Sequence, residues 1–102
     1  MWFFRQKIGV DYLRQIITIA EKLQKELSTG KTKNILPFLK NIAKVDYNSI
    51  DNLIIETQLP ELAKQVKLVY AGVIEAIEDI SNGSYKKAEI VMYNIVALQT
   101  LI

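Results

Sequence analysis

Leu59, Leu62, Val66, Val69, Val73, Ala76 and Ile80 stand alternately three and four residues apart, and the series runs unbroken over three heptads. An α-helix turns once in about 3.6 residues, so this spacing lays all of them on one stripe, whereas a strand would send successive residues to opposite faces. A helix that long with one apolar stripe folds stably only when other helices cover it. Pro60 falls in the first turn, where its missing N–H costs little, and Gly83 in "ISNGS" stands where the helix stops.

The same period recurs on both sides. Leu13, Ile16, Ala20, Leu23 and Leu27 predict a first helix that begins within residues 4–11 and runs to residue 27, with Ile8, Tyr12 and Ile19 widening its stripe. Glu21 with Lys25 and Lys22 with Glu26 stand at i, i+4 on its solvent side, and Gly30 is placed to take the left-handed conformation that closes it. Asn34 can cap a shorter helix over residues 35–45, with Pro37 in the first turn. "VDYNSID" breaks that helix, and a third short one over residues 49–57 would bury Ile50, Leu53 and Ile54. Tyr85, Ala88, Val91, Ile95, Leu98 and Ile102 predict a last helix that starts at Ser84 and continues to residue 102. Short connections favour antiparallel neighbours. The expected fold is all-α: a single helical domain over residues 1–102, an up-and-down bundle of four to five helices ending in a long C-terminal helical hairpin.

Composition narrows the chemistry. The chain has neither cysteine nor histidine. That removes disulfides, a thiolate nucleophile and cysteine-bound metals, together with the most frequent general acid/base and metal ligand. Glu75 and Asp79 in "IEAIEDI" are four residues apart on a helix, but di-metal bundles pair such carboxylates with a histidine, so a solvated face is expected. No catalytic residue, cofactor or metal is expected, and no enzyme. The longest uncharged run is residues 90–102, which is shorter than the roughly 20 residues a membrane-spanning helix needs. "MWFFRQKIG" lacks the charged-then-apolar order of a signal peptide, so a soluble, cytoplasmic protein without a membrane span is expected.

"STGKTKN" at residues 28–34 resembles the end of a phosphate-binding loop, because such a loop ends in the Gly-Lys-Thr that stands here as Gly30-Lys31-Thr32. The full motif G-x-x-x-x-G-K-[ST] has Lys25 where its first glycine should be, and the stretch follows a helix rather than a strand. Nucleotide binding is not expected here. The lysines around it matter more. Lys22, Lys25, Lys31, Lys33, Lys40 and Lys44 belong to a half of the chain, residues 1–45, with nine Lys/Arg against three Asp/Glu. Residues 46–102 have four against eight, so the overall +2 hides a polarised chain. Lys31, Lys33, Lys40 and Lys44 are the candidate contacts for an anion or a nucleic acid, of low sequence specificity because arginines and interleaved aromatics are missing.

Association is the leading functional expectation. Ten of the thirteen residues 90–102 are apolar, so both faces of the last helix are covered with apolar side chains. Such a helix is either central in its own bundle or meets a second chain. Ala63, Tyr70 and Ile77 likewise add a second stripe to the long middle helix. Val91, Ile95, Leu98 and Ile102 are therefore the candidate interface, with Trp2 and Phe3 as candidate aromatic anchors, and the expected partner is a second copy or another protein. A small adaptor or accessory subunit fits this pattern. The alternative is a weakly specific nucleic-acid-binding or regulatory protein using the basic first half.

"NGSYKKAEIVMYNIVAL", residues 82–98, resembles the turn and second helix of a tetratricopeptide repeat, in which G-x-Y-x-x-A joins two antiparallel helices. Gly83, Tyr85 and Ala88 stand at those places. The first-helix signature of that repeat is absent upstream and no 34-residue period recurs, so the resemblance implies an antiparallel hairpin and no more.

Overall fold

Among the described residues, the apolar spacings become four helices. The computed structural model describes the backbone of residues 2–44 and 60–102, and the side chains of residues 11–44 and 60–102. Helix α1 spans Trp2–Ser28, α2 Ile35–Lys44, α3 Pro60–Ser81 and α4 Lys86–Ala97; a 3₁₀ turn, Leu98–Leu101, follows α4 directly. The described residues form an all-α bundle. The predicted helix over residues 49–57, and Val45 at the end of the second, lie outside them.

Two helix ends close in the same way. Past α1, Gly30 N–H donates to the Leu27 carbonyl at 3.0 Å and Lys31 N–H to the Glu26 carbonyl at 2.8 Å. Past α3, Gly83 N–H donates to Ile80 and Ser84 N–H to Asp79, both at 2.9 Å. Each is the paired closure that requires a left-handed residue, and Gly30 and Gly83 supply it at φ 84° and 87°. Helix α2 begins differently from the expectation that Asn34 caps it with its side chain. Asn34 acts through its backbone carbonyl, which accepts from Phe38 N–H at 3.3 Å, while Ile35 N–H returns to Thr32 at 3.2 Å. Pro37, three residues after Asn34, removes one of the two N–H groups that such a side chain could accept from and leaves that of Leu36. At α4 the Ser84 hydroxyl accepts from Lys86 N–H at 3.4 Å.

Helix α4 lies between α1 and α3, and α2 packs on α3. Lys87 Nζ meets Asp79 Oδ1 at 3.9 Å near the turn. Farther along, Gly72 abuts Val91, and Glu61 and Gln65 border a cleft shared with Ala97 and Leu98, so α3 and α4 run antiparallel. The core is continuous. From α1 it takes Leu13, Ile16, Ala20 and Leu23, from α2 Ile35, Phe38, Leu39 and Ile42, and from α3 Leu62, Val66, Val69 and Val73; α4 closes it with Ala88, Val91, Met92 and Ile95. No polar or charged side chain is buried among the described residues. Neither i, i+4 pair expected on α1, Glu21 with Lys25 or Lys22 with Glu26, closes to an ion pair.

Gly72 decides how closely α3 and α4 approach. A Cβ built there would stand 2.9 Å from Val91 Cγ2, a branched side chain with little room to turn. Alanine in place of a mid-helix glycine gains about 1 kcal/mol in propensity, but overpacking a filled core costs about 1–3 kcal/mol. Gly72→Ala is expected to lower stability by about 1 kcal/mol in urea denaturation. In a Val91→Ala background the same change should raise stability by about 1 kcal/mol. Equal gains in both backgrounds would contradict the close approach.

Candidate interaction site

The stretch from Ser28 to Lys31 does not form a phosphate loop. Thr29 N–H donates to the Glu26 carbonyl at 3.1 Å, and the N–H groups of Gly30 and Lys31 complete the closure of α1. The hydroxyls of Ser28 and Thr29 turn back onto the Lys25 and Glu26 carbonyls at 2.6 and 2.8 Å. A phosphate cradle needs such donors aimed outward, and here they are engaged by the helix.

The interface residues expected on the last helix lie inside the chain. Val91, Ile95 and Leu98 are all but fully buried in the bundle's own core, and Ile102 is partly buried against it. The physical reason is the position of α4, which meets α1 on one flank and α3 on the other, so both of those stripes are covered intramolecularly. Ala63 is buried too, and Tyr70 and Ile77 pack partly buried against the same core. Helix α4 also ends at Ala97, where the backbone tightens into the 3₁₀ turn and the Thr100 hydroxyl donates to the Ala97 carbonyl at 2.9 Å. Trp2 and Phe3 fall in the first turn of α1, and their side chains lie outside the described residues.

What remains exposed is a different stripe. Leu68 is 58% accessible, Ile90 59% and Tyr93 68%. Leu68 stands between Gln65 and Gly72 on the flank of α3 that borders α4, and Ile90 is one turn before Asn94 on the flank of α4 that borders α3. The two apolar side chains therefore flank one solvent-facing seam, with Tyr93 and Ala97 on its outer edge. Glu61, Lys64, Glu75, Lys86 and Glu89 rim it, two positive charges and three negative. The sequence signal existed: Ile90, Tyr93 and Ala97 are spaced three and four apart, the second stripe of an apolar helix. The other exposed apolar residues, Ile19 and Ile74, lie elsewhere, on the flanks that carry Tyr12 and Tyr70.

The shallow clefts among the described residues include three. One of about 370 Å³ lies between α1 and the C-terminus, lined by Arg14, Ile17, Thr18, Glu21, Gln99 and Ile102. A second, of about 420 Å³, lies on α1 alone around Arg14 and Ile19; the third, of about 260 Å³, is the mouth of the α3–α4 seam at Gln65 and Asn94. Glu75 is exposed, Asp79 pairs with Lys87, and no group of three metal-ligating side chains converges among the described residues. Lys31, Lys33, Lys40 and Lys44 are all exposed. No helix among the described residues is long and apolar enough to cross a membrane. No protein-family model, curated protein or solved structure matches this chain.

Two outcomes separate a core role from a surface one. Ile95→Ala is expected to cost about 2–5 kcal/mol in chemical denaturation, because a fully buried isoleucine leaves a cavity. Leu98→Asp should unfold the chain rather than divide an assembly, visible as loss of helical circular dichroism at room temperature. Tyr12 gives a third. Burial pushes its phenol above the ordinary 10.0, and the neighbouring Tyr70 hydroxyl pulls the other way. The unfolded chain thus loses this proton first, so the contribution is full below pH 10.0 and falls as pH rises from there through the folded value. Tyr12→Phe should make the alkaline loss of stability shallower above that pH.

Proposed function

We propose that the protein is a non-catalytic association module whose partner is a second copy of itself, joined through the outer face of α3 and α4. The supporting observation is the exposed seam of Leu68, Ile90 and Tyr93 on a helix pair whose core-facing stripes are already buried. Large apolar residues placed together on a surface incur a hydration cost that a partner relieves. Tyr93 adds a rigid aromatic body with a polar tip, the kind of side chain enriched in contact centres.

Charge selects the occupant. Lys64 and Lys86 stand with Glu61, Glu75 and Glu89 around the seam, so the face mixes both signs and offers each lysine an acidic counterpart when it meets itself. A two-fold dimer requires such self-complementarity, whereas a strongly acidic or basic partner would favour a face of one sign. Size agrees. On ordinary helix dimensions a face two helices wide is roughly 20 by 30 Å, close to the roughly 800 Å² per partner buried in stable complexes.

Native mass spectrometry and light scattering across a concentration series test this. The expected outcome is a dimer for the unmodified chain and a monomer for Ile90→Glu with Tyr93→Glu, the variant keeping its helical circular dichroism. A monomer at every concentration for the unmodified chain, or a dimer that survives in the folded variant, would remove the seam from the account.

A further inference from the structure

We propose a second, independent binding function: the surface formed by the α1–α2 connection and the outer face of α2 holds the phosphate backbone of duplex nucleic acid, without reading its sequence. Between residues 27 and 44 the chain has four lysines and no aspartate or glutamate. The fold leaves all four in water. Lys31 and Lys33 stand in the turn that joins the helices, and Lys40 and Lys44 are one turn apart on α2, opposite the buried Ile35, Phe38, Leu39 and Ile42. Lys25, in the last turn of α1, is exposed beside them. None of these five forms an ion pair, in contrast to Lys87, which holds Asp79. Glu26, partly buried, is the acid nearest to them in sequence.

Like charges gathered without counter-ions repel one another and weaken the compact state, and an anionic partner relieves that. The surface's chemistry indicates which anion. It has no exposed large apolar side chain, since the exposed ones on the described residues are Ile19, Leu68, Ile74, Ile90 and Tyr93, so nothing on it inserts into a bilayer. None of the five lysines lines any of the three clefts described above, so their charge is presented outside those clefts. Its one aromatic, Phe38, is buried, which leaves no platform for the stacked bases of a single strand. Lysine is a point charge without the planar fork that reads guanine, so contact stays with the phosphates. Duplex DNA or RNA, dense in phosphate and with its bases enclosed, is the partner that asks for nothing more.

The test is fluorescence anisotropy of two labelled duplexes of unrelated sequence, titrated with the full chain at several salt concentrations. With four lysines engaged, log Kobs should fall against log salt with a slope of about −3.6, a loss of about two orders of magnitude between 50 and 200 mM. Both duplexes should bind alike. Lys40→Gln with Lys44→Gln, exposed changes that leave the core intact, should reduce the slope by about 2. Lys31→Glu, Lys33→Glu and Lys40→Glu together should abolish binding while the chain's native mass stays as it was, which keeps this test separate from that of the apolar seam. No binding at 50 mM, a slope unchanged in the glutamine variant, or tighter binding to phosphatidylserine vesicles, polyglutamate or a single strand would overturn the proposal.

Discussion

The bundle depends on one arrangement, the placement of α4 between α1 and α3. A twelve-residue helix rich in apolar side chains has too little polar surface to lie at the edge of a bundle, and flanking helices on two sides are what make it stable. Everything else follows from meeting that demand. Gly72 lets α3 approach Val91 closely, and the run from Leu13 to Leu23 gives α1 a stripe long enough to cover the opposite flank. Helix α2 then covers the side of α3 that α4 does not reach.

The period of apolar residues made the helices legible, because a 3-4 spacing has one geometric solution. Pro60 marked the start of α3, and Gly30 and Gly83 marked two stops, since only glycine takes that backbone conformation at no steric cost. Ownership of the apolar surface was not legible. A helix apolar on both faces is described equally well as central or as shared between chains, and period carries no information about which chain supplies the neighbour. Val91, Ile95 and Leu98 therefore read as interface in the sequence and are core in the fold. Asn34 stands at the start of α2 as its type suggests but contributes its backbone carbonyl, and Pro37 leaves only the Leu36 N–H within reach of its side chain.

Electrostatics was legible by half-chain but not by surface. The lysines of residues 22–44 are sequence neighbours, and helix geometry kept those of α2 on one face. Around the α3–α4 seam the opposite happened, with charges of both signs brought together from two different helices. The likeness to a tetratricopeptide turn matches the antiparallel course of α3 and α4, and no similar solved structure extends it.

Both glycine closures are built from hydrogen bonds between residues at most five apart in the chain. Each helix end is thus settled by its own neighbourhood. Helix formation takes about a microsecond or less, and helices as short as α2 and α4 are only marginal alone, so the stops are encoded locally while docking is what holds the helices. What remains to be found is their mutual docking, a search with few long-range decisions, and topologies of that kind are the ones that fold fastest.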